Sequence, residues 1–271
     1  MAEKFNNLSG KEWLQHSISI WKDIRKNKDE IRLKHPAMFP TQLTSRLINI
    51  FTKNDGEVIL DPFMGSGSTL VSDKELGTKG VGFEISKDYI KMARDRLRSI
   101  QKSLTNLNQE YIEPEIYNED VKNILNVVKP SSIDLCITSP PYWNILNQKR
   151  TADGKSIRNY GNLKNDLGNI EDYNEFLEQL KNVFSKVYET LKPNKRCIII
   201  VMDIRKKDKF YSFHIDLTKK MEEIGFELED FIIWDRQHEY NNARTLGYPY
   251  VFRINKVHEF ICIYIKKPKK E

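Results

Sequence analysis

"GEVILDPFMGSGSTLVSDKELG", Gly56 to Gly77, decides the fold. Its first part is a short apolar run, set between Asn54-Asp55-Gly56 and a glycine loop, which is the pattern of a buried strand. From Ser68 the composition turns helical, and Gly77 is a residue suited to closing a helix. A strand, a glycine loop and a helix in succession open a parallel α/β sheet.

The alternation continues downstream. "KGVGFEIS" reads as a second strand and "KDYIKMARDRLRSIQ" as a helix with charges on one face. "EIYNEDVKNIL" is a short strand and turn, and "SIDLCITSPPYW" is another strand. "EDYNEFLEQLKNVFSKVYETLKP" predicts a long amphipathic helix stopped by Pro193. "RCIIIVMD" is apolar at consecutive positions, as expected of a strand covered on both faces. After a helix in "SFHIDLTKKMEEIG", the strands "FELEDFIIWD" and "HEFICIYIKK" follow with no helix between them. That predicts a sheet ending in an antiparallel pair. Upstream, the polar stretch through Lys34 predicts one short helix. His35 to Pro40 is excluded from regular helix by Pro36 and Pro40, and helical spacing begins at Thr41. The expectation is one doubly wound α/β domain over residues 1–271, mostly parallel, with irregular loops at about 144–169 and 236–256.

Composition narrows the class. Of 271 residues, 30% are charged and 39% hydrophobic, which excludes disordered and collagen-like chains. No apolar run approaches bilayer length, and "MAEKFNNLSGKEW" lacks the basic-then-apolar pattern of a secretory signal. Cys136, Cys197 and Cys262 each fall within a predicted strand, with no zinc or disulfide spacing, so buried free thiols in a reducing cytoplasm are expected. A net charge of +6 fits a phosphate-rich partner, part of it coming from the tail "IKKPKKE".

The glycine loop has a chemistry of its own. Gly65 and Gly67 let a ligand approach backbone N–H groups, at the carboxyl end of a strand where open α/β sheets bind ligands. The dinucleotide fingerprint and the Walker lysine are both missing. Asp61, just ahead of the glycines, repels phosphate and suits an ammonium group. Glu84, ending the next strand, suits the two hydroxyls of a ribose, and Asp120 is placed for an adenine amino group. A ligand with an amino acid at one end and a ribose at the other meets these demands, and S-adenosyl-L-methionine is such a ligand.

Ser139-Pro140-Pro141-Tyr142 stands at the end of a later strand, on the same sheet edge. An exocyclic amino nitrogen of a base is a poor nucleophile, because its lone pair is delocalised into the ring. Ser139 Oγ and the Pro140 carbonyl are a pair of acceptors for its N–H groups, the prolines fix the carbonyl's direction, and Tyr142 is a stacking surface. Such a pocket demands a flipped base.

These motifs, "DPFMGSGST", "GFEIS", "TSPPYW", "HPAMFP" and "HEFICIYIKK", resemble the amino-methylating DNA methyltransferases of the cytosine-N4 and adenine-N6 family. The resemblance covers most of the chain from His35 onward and implies a Rossmann-like methyltransferase sheet. It also implies that Asp61, Phe63, Gly65, Gly67 and Glu84 bind cofactor with Pro36 and Phe39 of "HPAMFP", and that Ser139, Pro140, Pro141 and Tyr142 hold the target base. Phe63 would pack against the adenine or methionine portion. Many relatives place the tetrapeptide before the cofactor loop and carry a long recognition insert. Here the cofactor half comes first, so recognition of double-stranded DNA falls to the loops, with Arg150, Arg158, Tyr160, Arg236, His238, Tyr240, Arg244, Tyr248 and Tyr250 as candidates. Serine at the head of the tetrapeptide resembles the cytosine-N4 branch, and aspartate is usual for adenine-N6. No Pro-Cys pair occurs, which excludes cytosine-C5 chemistry. RNA or protein-glutamine methylation and a non-catalytic nucleic-acid-binding relative are the rival readings. A cognate restriction endonuclease is a partner the reading allows, functional and not necessarily physical, and neither its presence, the recognised DNA site nor the oligomeric state is written in the sequence.

Overall fold

The computed structural model describes residues 4–33, 38–53, 56–100, 111–145, 166–240 and 245–268. In chain order the elements are α1 (Gly10–His16), β1 (Ile20–Trp21), α2 (Lys28–Arg32), α3 (Thr41–Phe51), β2 (Val58–Asp61), α4 (Ser68–Leu76), β3 (Lys79–Phe83) and α5 (Lys87–Ser99). There follow β4 (Glu115–Tyr117), β5 (Ile133–Thr138), α6 (Tyr173–Thr190), β6 (Leu191–Val201), β7 (Ile204–Lys206), β8 (Lys209–Tyr211), α7 (Phe213–Ile224), β9 (Glu227–Asp235) and β10 (His258–Ile265).

Eight strands form one sheet in the order β1-β9-β10-β6-β5-β2-β3-β4. Neighbours run parallel except around β10, which is antiparallel to both β6 and β9. Helices cover both faces, which explains the continuous apolar runs of β5 and β6. Phe176, Leu180 and Phe184 of α6 and Leu217 and Met221 of α7 are buried on one face. On the other, Leu43, Leu47 and Ile48 of α3 pack with Ile59, Leu135 and Ile137. Leu70 of α4 and Ile90 and Ala93 of α5 close the flank over β3. The fold is a Rossmann-like α/β sheet with an antiparallel last strand.

Three expectations need correction. The last two strands do pair antiparallel, but not at the edge: β10 is inserted between β6 and β9, and β1 pairs outside β9 (Ile20 opposite Ile233, Trp21 opposite Trp234). Helix α6 ends at Thr190, and Pro193 sits inside the first residues of β6. Leu191 is already extended (φ −69°, ψ 138°) and opposite Ile133 of β5, and a proline is tolerated at the start of a strand. The N-terminal stretch holds two short helices and a strand where one helix was expected, both helices opened by reciprocal capping boxes at Ser9/Glu12 and Asn27/Glu30. The β7–β8 hairpin was not anticipated. All three cysteines are buried free thiols. No helix among the described residues is long and apolar enough to cross a membrane.

Candidate active site

A cavity opens at the carboxyl ends of β2, β3 and β5, with about 920 Å³ of empty space, part of it open to solvent. Phe39, Phe63, Gly65, Glu84 and Asp120 are on its wall together with all four residues from Ser139 to Tyr142. The glycine loop and the Ser-Pro-Pro-Tyr turn therefore share one space. Asp61 and Gly67 are not on the wall, and Pro36 lies outside the described residues.

Asp61 sits directly behind that wall. Its carboxylate is fully buried: Oδ1 accepts from Thr138 Oγ1 (2.7 Å) and from the Phe63 N–H (3.1 Å), and Oδ2 accepts from Thr69 Oγ1 (2.6 Å). Burial pushes its pKa up to about 6 in spite of these donors. The acid thus ties the tips of β2 and β5 to the first turn of α4, and the structure does not bring it to the ligand space as the sequence reading had it. Gly67 has φ 78°, and a Cβ there would lie 2.8 Å from Ala93 Cβ, so this glycine lets α5 close on the loop.

Glu84 is the acid that does reach the cavity. Its oxygens accept from the Gly65 N–H (3.1 Å) and the Ser86 N–H (2.7 Å), and burial, with Asp166 nearby, pushes its pKa up to about 7. Glu119, Asp120 and Asp166 join it on the wall, and none of the described lining residues is Lys, Arg or His. Four carboxylates with no cation among the described lining residues repel phosphates and favour a ligand carrying positive charge and hydroxyls. S-adenosyl-L-methionine fits it. Phe39 and Phe63 offer the apolar faces, Glu84 the acceptor for hydroxyls, and the acids around them a field for the sulfonium and ammonium groups. Ionised Glu84 accepts hydroxyls better than protonated Glu84, so cofactor affinity is expected to rise as pH climbs through about 7 and then level off. Calorimetric titration across this range checks it, and Glu84→Gln should flatten the profile.

The glycine loop is braced from outside by an ion pair that has no local signal in the sequence. Arg96 of α5 donates to the Ser66 carbonyl (2.8 Å) and Ser68 Oγ (3.1 Å) and pairs with Glu30 (3.4 Å). Glu30 is 3% exposed and also accepts from the Asn27 N–H (2.9 Å) and the Thr41 N–H (2.7 Å). Glu30 therefore links α2, the start of α3 and, through Arg96, the loop. Asn27-x-x-Glu30 was visible as a capping pattern, but the partner 66 residues away was not. Glu30→Gln keeps the shape and removes the charge, and is expected to cost about 2 kcal/mol of stability by chemical denaturation.

At the other wall, Ser139 is partly exposed, while the two aromatics separate. Tyr142 faces the cavity and donates to Glu259 Oε2 (3.2 Å). Trp143 is buried against Tyr173 and Tyr211 at 5.2 and 5.1 Å between ring centroids. Glu259 also pairs with Arg236, which pairs with Glu239 and lies over the Trp234 ring (4.9 Å). Arg236, expected on DNA, is instead bound into the support of Tyr142. Tyr248 is 78% exposed on the surface. Arg150, Arg158, Tyr160 and Arg244 lie outside the described residues, as does the side chain of Tyr240. Asp166 and Leu167 line the cavity without having been foreseen, since they follow a long polar loop that offers no periodicity.

The family model described as DNA methylase (N6/N4 type) matches residues 3–95 and 133–271. The chain is 33% identical over 99 residues to the type II beta methyltransferase M.BslI of Bacillus sp. (strain NEB-606), covering 35% of this chain and 11% of that protein. It is 47% identical over 66 residues to the type II methyltransferase M2.DpnII of Streptococcus pneumoniae, covering 24% of each. These matched stretches span no more than a quarter of either relative's length. A solved SAM-dependent methyltransferase from Methanosarcina mazei aligns over 79% of this chain and 93% of its own, at 16% identity and a TM-score of 0.49. The family match runs through the glycine loop and the Ser-Pro-Pro-Tyr turn alike, and with the acidic cavity between them it makes S-adenosyl-L-methionine the cofactor: the chain belongs to the N6/N4 DNA methylase family.

Proposed function

We propose that this chain methylates an exocyclic amino nitrogen of a base flipped out of double-stranded DNA, cytosine N4 in preference to adenine N6. One observation carries the reading: the ligand cavity, whose charged lining residues are all acids, and the Ser139–Tyr142 turn are walls of the same space. When bound, the cofactor supplies an electrophilic methyl group on a sulfonium. The protein's own work is to present the nucleophile. Ser139 Oγ and the Pro140 carbonyl accept the amino hydrogens, drawing the nitrogen's lone pair out of the ring. Pro140 and Pro141 restrict the turn, and the Tyr142 ring, steadied through Glu259, stacks on the base. Serine as the leading residue supports cytosine. The whole of residues 1–271 acts as a single methyltransferase domain, with target recognition carried by the loops at about 144–169 and 236–256. The reading is compatible with a cognate restriction endonuclease as a functional partner and does not require one.

Methyl transfer from labelled cofactor to duplex DNA, RNA and protein tests the substrate class, with duplex DNA expected to take the label. Label confined to RNA or protein overturns the proposal. Sequencing methylated DNA at single-base resolution, after expression in an unmethylated host, then tests the base. Adenine-N6 marks alone overturn the preference for cytosine and leave the reaction class standing.

A further inference from the structure

The β7–β8 hairpin belongs to neither predicted recognition loop, yet it stands at the same sheet edge as the cavity, directly after β6. Its sequence, "IRKKDKFY", holds Arg205, Lys206, Lys207 and Lys209 against one acid, Asp208. It is fixed at its base to the residues that follow the tetrapeptide. Lys206 Nζ donates to Asn144 Oδ1 (2.9 Å) and lies 3.7 Å from the Trp143 ring centroid, and Tyr211 packs on the same ring. Its far end is fixed to a second element. Arg253 donates to the Lys207 carbonyl and pairs with Asp208 (3.1 Å each), and Lys256 and Arg205 both lie over the Phe210 ring.

That second element, Tyr248 to Ile254, exposes large apolar side chains. Tyr248 is 78% exposed, Tyr250 91%, Phe252 94% and Ile254 72%. Rings left in water in this number mark a surface that meets a partner. The chemistry around them says which. Residues 204–211 and 248–256 carry six cations and a single acid, and Arg253 already occupies that acid. The two segments thus supply five of the chain's net +6. Arg205, Lys207 and Lys209 have exposed side chains. Burial, with Arg205 as a like-charged neighbour, pushes Lys256 down to about 8. Arg205, Lys207 and Lys209, exposed and in no ion pair among the described residues, set beside exposed aromatic rings, suit a polyanion that also has flat apolar faces.

We propose that the β7–β8 hairpin and the Tyr248–Ile254 stretch form one surface that seats duplex DNA beside the cavity, the hairpin cations on backbone phosphates and the exposed rings against bases. This rests on the function proposed above and assigns the hairpin a part in it. The hairpin's role is independent of sequence, since phosphates are the same at every site. Its link to Asn144 and Trp143 sets the phosphate contacts at a fixed distance from Ser139.

The test is fluorescence anisotropy of a labelled duplex of mixed sequence, titrated at several salt concentrations, with cofactor calorimetry as a check on folding. The variant Arg205→Gln/Lys207→Gln/Lys209→Gln is expected to bind duplex at least about tenfold more weakly. Its log affinity should fall with log salt by a slope shallower by about 2 to 3, near one unit per lost phosphate contact. Phe252→Ser is expected to weaken binding and leave that slope unchanged. Wild-type affinity and slope in the triple variant overturn the surface while the proposed function stands. No salt-dependent duplex binding by the wild-type chain overturns both. Dimerisation that Phe252→Ser abolishes, with duplex affinity untouched, also overturns the surface.

Discussion

Replacing Ser139 by alanine lowers the rate of methyl transfer about a hundredfold to a thousandfold and leaves cofactor affinity within about twofold of wild type. The expectation comes from the division of the cavity wall. The cofactor side is built by the glycine loop, Phe39, Phe63 and Glu84, none of which bonds to Ser139 among the described hydrogen bonds. The base side keeps its stacking ring, because Tyr142 is held by Glu259 rather than by the serine. What disappears is one of two acceptors for the amino group, an interaction that strengthens as the nitrogen becomes pyramidal. Single-turnover rates with saturating cofactor and DNA, set beside calorimetry of the cofactor alone, measure the two effects separately. Parallel losses in both would mean that Ser139 shapes the cofactor site instead.

Asp61→Ala has the larger structural reach. It removes the acceptor of two hydroxyls and one N–H in a fully buried place, and is expected to cost on the order of 4 kcal/mol of stability. Cofactor affinity should fall at least about tenfold, since the loop that carries Phe63 and Gly65 loses its tie to β5. Asp61→Asn, which retains one acceptor, should fall between. Wild-type stability together with lost cofactor affinity in the alanine variant would show that the acid meets the ligand directly. The same group gives the ligand-free protein a pH signature. Asp61 is raised from 3.8 to about 6 and Glu84 from 4.5 to about 7, so the folded chain holds protons that the unfolded chain has released. Their contribution to stability is complete below the unfolded values and is lost as pH rises through the folded ones.

The sequence exposed the features whose signals are local. A strand, two glycines and a capped helix within Gly56–Gly77 sufficed for the fold class, and Glu84 and Ser139–Tyr142 could be placed because each follows a strand end directly. Direction was harder. A carboxylate ending β2 can point into the cavity or behind it, and only the hydroxyls of Thr69 and Thr138, 8 and 77 residues away, decide for Asp61. Arg236 looked like a phosphate ligand in an arginine-rich loop, but Glu259, 23 residues later, claims it. β1 is two residues long and exists through its pairing with β9, so no periodicity announces it. The β7–β8 hairpin is charged at each position from Arg205 to Lys209 and turns at Lys207 with φ 54°, without the glycine that marks such turns.

The placement of β10 has a consequence for how the molecule comes into being. It is the last strand in sequence among the described residues, yet it fills the gap between β6 and β9. While the ribosome is still threading out the stretch before His258, both of those strands present bare hydrogen-bonding edges, and Ile199, Ile200 and Ile232 have no neighbour on one side. Only when residues 258–265 emerge does that half of the sheet become continuous. Until residues 258–265 dock, those two edges are free to pair wrongly, so one strand joins the two parts of the sheet.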